Sequence, residues 1–170
     1  MGIYYDFDEV DAFTVAAPGP PGQRTFLLQV RRGPTRITIK CEKQQAGAIA
    51  EYLRKVLSDA PDPTDRPLDA VMQLVEPAEP AFVLGPVGLG YDRERDRVVL
   101  QLEEIVLTDE EGEVDPEDEA DRGTVRLFLT RSQAAAFCEQ ADDVVAAGRP
   151  SCIFCNLPMD PDGHRCPRMN

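Results

Sequence analysis

The chain predicts an α+β fold: two strand-strand-strand-helix units build an antiparallel sheet with their helices packed on one face, and a small zinc-binding module follows at the C-terminus. Three observations carry this. Apolar residues alternate with period two in short segments bounded by Gly and Pro. Twice, after three such segments, the apolar period changes to that of an amphipathic helix. The last nineteen residues then hold Cys152, Cys155, His164 and Cys166 as C-x2-C-x8-H-x-C.

The first unit spans residues 1–60. Asp11 to Ala17 and Arg24 to Arg31 read as strands around Pro18-Gly19-Pro20-Pro21-Gly22, where Pro fixes φ and Gly admits positive φ. Arg32-Gly33-Pro34 makes a second turn, and Thr35 to Cys41 alternates Ile37 and Ile39 with Thr38 and Lys40. From Lys43, Ala46, Ile49, Leu53, Val56 and Leu57 fall on one helical face, and the helix ends near Asp59.

Residues 61–79 read as a Pro-rich linker, since each proline disfavours helix in the residue before it and removes a ladder donor. Within it, Leu68 to Val75 fits either a short helical turn or an edge strand. The second unit, residues 80–148, has strands at Ala81 to Leu84, Arg97 to Leu107 and Thr124 to Thr130. Its helix begins near Ser132, which can cap it, and carries Ala134, Phe137, Cys138, Ala141, Val144 and Val145 on one face. The helices align with Gln45 over Gln133 and Ile49 over Phe137, so internal duplication and shared amphipathic patterning both account for the likeness.

Two unusual stretches have structural readings. Gly85-Pro86-Val87-Gly88-Leu89-Gly90 follows an apolar strand but leads into a charged turn, Tyr91 to Arg97, rather than the helix start a phosphate loop needs; it reads as a tight inter-strand connection. The acidic loop 109–121 repels itself and reads as a solvated, mobile hairpin loop. No register of it meets the Gly and Glu requirements of a calcium loop.

In the tail, residues 149–170, the four soft donors point to zinc, and a complete Cys3His set closes the tetrahedron to water and substrate. The zinc is therefore expected to be structural. A redox role for Cys152 and Cys155 competes less well, because such motifs open a helix after a strand. Cys41 and Cys138 sit in apolar patterns and read as buried hydrophobes. His164 is the sole histidine, so ligation leaves no imidazole for general-base or nucleophile pairs.

Thirty-one acidic against eighteen basic residues give a net charge of −13, which disfavours nucleic acid and anionic lipid. No long apolar run or leader pattern is apparent, so a cytoplasmic location and no membrane contact are expected.

The turn Gly19 to Gln29, the glycine hairpin Gly85 to Asp92 and the tail Cys152 to Arg168 with its Pro158-Met159-Asp160-Pro161-Asp162-Gly163-His164 core together carry a resemblance. The chain resembles, over nearly its whole length, an uncharacterised family of high-GC Gram-positive bacteria known only as a domain of unknown function with a zinc-ribbon-like tail. It departs from that pattern at Ala16-Ala17-Pro18-Gly19, where a Gly-Thr-Val-Gly type of turn is expected. The resemblance implies no activity. Members tend to be encoded beside a histidine-phosphatase-like and a kinase-like protein, which implies a shared pathway or complex.

The expected function is non-catalytic: a binding or adaptor protein that engages a protein partner through an acidic surface. One alternative is an enzyme or small-ligand binder using a cleft between the units, with Arg24, Gln29 and Tyr91 as polar contacts. Another is nucleic-acid recognition by Arg149, Arg165 and Arg168 of the tail.

Overall fold

The computed structural model describes residues 2–108, 112–160 and 162–169. Strands β1 (Tyr4–Phe7), β2 (Ala12–Ala16), β3 (Phe26–Arg32) and β4 (Thr35–Cys41) lead into helix α1 (Lys43–Ser58). A 3₁₀ turn at Asp69–Met72 precedes β5 (Phe82–Asp92), β6 (Arg97–Glu104), a one-turn helix α2 (Pro116–Ala120), β7 (Thr124–Leu129) and helix α3 (Arg131–Ala146). The seven strands make one sheet in the order β1-β7-β6-β5-β4-β3-β2.

The sheet is mixed, which corrects the antiparallel expectation. Strand β4 runs parallel to β5 at Ile39↔Phe82 and Lys40↔Val83, and β1 runs parallel to β7 from Tyr4↔Thr124 to Phe7↔Leu127. The first parallel junction arises because α1 and the segment after it carry the chain back past the sheet before β5 begins, and such a crossover returns the next strand in the same direction. Strand β1 has no counterpart in the sequence reading. Its four residues, Tyr-Tyr-Asp-Phe, are too few to show a period.

The glycine run also needs correction. It is not an inter-strand connection but the middle of β5, which continues to Asp92 with a bulge between Leu84 and Val87. Gly85 is required there by close approach: a Cβ at this position would sit 2.7 Å from Ile105 Cα. The turn itself is Asp92 to Arg97, where Asp92 Oδ1 accepts from the amides of Glu94 and Arg95, both at 3.0 Å.

Helix α1 ends at an Asp59 C-cap, as its period suggests. Helix α3 is capped by Thr130 instead of Ser132: Thr130 Oγ1 accepts from Gln133 N at 3.1 Å and the Gln133 side chain accepts from Thr130 N at 3.0 Å. Gln45 closes α1 in the same manner, accepting from Glu42 N at 2.8 Å. Each glutamine also donates to a neighbouring chain carbonyl, Gln45 to Leu84 at 3.1 Å and Gln133 to Val10 at 2.7 Å. Of the acidic stretch, residues 109–111 lie outside the described residues. The rest is not all loop, because Asp115 accepts from Glu117 N at 2.9 Å and starts α2.

Alternation in β2, β3 and β4 divides their side chains between two covers. Phe13, Val15, Leu28, Val30, Ile37 and Ile39 join Ile49, Leu53, Ala134 and Phe137 of the helices in one core, which extends to Leu100, Leu102, Leu127 and Leu129 of the second unit. Thr14, Gln29 and Thr38 point the other way and are equally buried. Their cover is the Pro-rich segment: Thr14 Oγ1 donates to Met72 O at 2.6 Å, while Gln29 donates to Val75 O at 2.9 Å and accepts from Val75 N at 3.0 Å. The ambiguous stretch Leu68 to Val75 is thus a 3₁₀ turn and a strap, held by polar side chains that would otherwise be unpaired in the interior.

Gln29→Ala is expected to cost about 1–3 kcal/mol, because it strands the Val75 amide and carbonyl away from water. Urea unfolding checks the magnitude, and faster hydrogen exchange at Val71 to Val75 than in β3 checks that the loss lies in the strap.

Candidate metal centre

After α3 the chain turns at Gly148-Arg149-Pro150 and forms a short hairpin. Ser151 bridges Pro158 in antiparallel fashion, Cys152 N donates to Leu157 O at 2.8 Å, and Asn156 N returns to Cys152 O at 2.9 Å. Asn156 holds φ at 61°, a left-handed conformation that asparagine tolerates better than most residues. This bend faces Cys152 and Cys155 the same way. A second reversal, closed by Gly163 N donating to Asp160 O at 2.9 Å, brings back His164 and Cys166. Pro161 of that reversal lies outside the described residues.

The ligand atoms of Cys152, Cys155, His164 and Cys166 all lie within 4.8 Å of one another. Cys152 Sγ is 3.9 Å from Cys166 Sγ, and Cys155 Sγ is 3.8 Å from His164 Nε2. A tetrahedral ion with metal–sulfur bonds of about 2.3 Å places its sulfur ligands about 3.8 Å apart, so the spacing fits one shared ion. It does not fit a disulfide, which needs about 2.0 Å, and the cysteines are free. The donor set predicted from spacing is therefore brought together and could hold a metal.

Local electrostatics favour an ion here. Hydrogen bonds from the backbone amides of Cys155 and then Phe154 hold the Cys152 thiol down to about 6, which favours its thiolate form. Desolvation pushes Cys155 the other way, reinforced by the Cys166 and Cys152 sulfurs beside it. Sulfurs this close cannot all ionise without a cation among them, and metal binding releases the remaining protons.

The other two thiols are a contrast. Burial raises Cys41 to about 12 and Cys138 to about 11, and Cys138 Sγ donates to Ala50 O at 3.4 Å between the two helices. Both are packing residues and not nucleophiles.

The polar residues considered for a cleft do not converge. Gln29 is spent on the strap, Tyr91 donates its hydroxyl to Asp96 beside Arg131, and Arg24 donates to Ala17 O and Val144 O, both at 3.0 Å. In the tail, Arg149 pairs with Asp160 at 2.8 Å and Arg168 donates to Phe154 O at 3.0 Å, while Arg165 is exposed. What the spacing argument missed is the apolar surface around the donors. Ile153, Phe154, Leu157 and Met169 are all exposed, Ile153 at 89%. The signal was present, since two of these residues fill the C-x2-C gap.

No helix among the described residues is long and apolar enough to cross a membrane. No curated protein and no solved structure matches the chain. Residues 5–166, from β1 to the last cysteine of the cluster, match the sequence model of the family described as "Protein of unknown function (DUF3090)", and the chain belongs to that family.

Proposed function

We propose that this is a non-catalytic cytoplasmic binding or adaptor protein whose tail is built around a structural zinc ion. One observation carries the reading: the four tail donors turn inward to a single point and include the chain's only histidine. Zinc suits a Cys3His set, and a fourfold protein shell leaves it no open position for water or substrate. Cys41 and Cys138, the two thiols outside the cluster, are buried with their thiols pushed upward, and the lowered Cys152 thiol is assigned to the metal rather than to a substrate. The ion instead fixes a rigid knuckle that presents Ile153, Phe154 and Leu157 to solvent beside a body of strongly acidic composition. Exposed apolar clusters of this kind mark surfaces that a partner covers. The negative body suits a protein partner with basic character.

Co-purification from the native cell tests the proposal. The intact protein is expected to retain a protein partner at near-stoichiometric amounts, and Phe154→Ala together with Ile153→Ala is expected to release it while leaving zinc content unchanged. Recovery of no macromolecule, coupled with turnover of a metabolite by the purified protein, overturns it.

A further inference from the structure

The turn Pro18 to Gly22 and its continuation to Phe26 play no part in the metal centre, yet they form a wall of a second feature. A cavity of about 250 Å³ opens where this turn, the start of α1 and the end of α3 meet. Gly22, Arg24, Phe26, Lys43, Gly148 and Arg149 line it, so three separate segments each bring one cationic side chain. In a chain of net charge −13, three cations here outnumber the two carboxylates beside them, Glu42 in the wall and Asp160 on Arg149.

Each cation is placed by its own contact. Arg24 is fixed by its two carbonyl acceptors and lies 5.8 Å over the Phe26 ring. Arg149 reaches in past Gly22, where a Cβ would come within 3.5 Å of its Cδ and where φ is +88°, a conformation suited to glycine. Lys43 passes Gly148 so closely that a Cβ there would stand 3.3 Å from Nζ, and Lys43 has no ion-pair partner among the described residues. The one carboxylate in the wall is Glu42. That carboxylate caps α1, accepting from the backbone amide of Gln45. Asp160 pairs with Arg149 at 2.8 Å from outside the wall, and Lys43 is left without a counter-ion among the described residues.

We propose that this cavity binds the phosphate group of a small phosphorylated metabolite. A phosphate presents several oxygens in tetrahedral array and a charge near −2, which lets one group engage cations approaching from three directions; a carboxylate engages one or two. The volume suits the headgroup of a small ester, since sites for larger ligands run from about 300 to 1,000 Å³. The site stands apart from the adaptor reading, because it requires no partner protein and its lining includes none of the four tail donors.

Titration of the full-length, zinc-loaded protein with glycerol phosphate, followed by amide NMR, tests it. Inorganic phosphate and chloride at matched ionic strength serve as comparisons. Saturable shifts are expected at Gly22, Lys43, Gly148 and Arg149, with the ester bound more tightly than inorganic phosphate and chloride without effect. Lys43→Gln and Arg149→Gln are each expected to weaken binding about tenfold, as loss of a charge-assisted contact does, whereas Lys55→Gln on the exposed side of α1 changes nothing. These exposed side chains can be replaced without disturbing the core, and an unchanged amide spectrum of each free variant verifies its fold. Shifts of equal size with chloride, binding indifferent to both substitutions, inorganic phosphate bound as tightly as the ester, or shifts centred elsewhere overturn the proposal.

Discussion

Chelation of the zinc-loaded protein is expected to unfold residues 150–168 while the seven-stranded sheet stays folded. The tail has too little apolar surface to hold itself: of its large side chains Ile153, Phe154, Leu157 and Met169 are exposed, and its buried residues among those described are Cys152 and Cys166 of the candidate donor set. Structural zinc contributes about 10–16 kcal/mol in comparably small modules, far more than a few hairpin hydrogen bonds supply. The sheet loses nothing comparable, because its core, which runs from Phe7 to Ala141, contains no tail residue. In amide spectra the signals of the tail collapse toward random-coil positions on chelation and return with one equivalent of zinc, while those of β5, β6 and β7 persist. Cys152→Ser and Cys166→Ser should reproduce the chelated spectrum in the presence of metal. Acid should release the ion as well, since affinity falls as protons compete with the metal for the thiolates and the imidazole. Tail signals indifferent to metal, or a sheet that melts with the tail, would defeat the structural-zinc reading.

Replacing Phe137 by Ala is expected to destabilise the fold by about 3–5 kcal/mol, the usual range for removing a fully buried aromatic ring. Phe137 has no solvent exposure and stacks on Phe13 with ring centroids 4.5 Å apart and planes 7° from parallel. That contact joins α3 to β2, elements more than a hundred residues apart in the chain. Its loss therefore opens a cavity at the junction on which the whole core depends, and not at a margin able to collapse. At about 2–4 °C per kcal/mol for a chain of this size, the melting temperature should fall by roughly 6–20 °C. Phe154→Ala is the natural contrast: its ring is half exposed on the tail, and a surface change of that sort stays within about 0.5 kcal/mol. Equal effects from the two would mean that the Phe13–Phe137 stack is not central to the core.

Much of the local structure was legible because it depends on neighbours in sequence. The period-two pattern of Thr35 to Cys41 and the helical stripe beginning at Ala46 need only a water-facing and a protein-facing side, and both elements fall where those patterns lie. Caps were legible less reliably. Thr130 and Ser132 are equally good hydroxyl donors and acceptors, and only the geometry of Gln133 folding back on Thr130 selects between them. The glycine run misled because Gly and Pro ordinarily mark turns. In this fold Gly85 serves the opposite end, letting β5 continue under the backbone of Ile105, a neighbour twenty residues away that no local pattern reveals.

The candidate donor set, Cys152, Cys155, His164 and Cys166, was legible in the sequence alone. Soft donors spaced around two tight reversals have few uses besides a metal, and the bends at Asn156 and Gly163 that aim them are themselves local. The order of the sheet, its two parallel junctions, the strap over Gln29 and the meeting of Arg24, Lys43 and Arg149 were decided only in three dimensions. Each of these joins residues from distant segments, and chain periodicity records which side of a segment is buried but not what buries it.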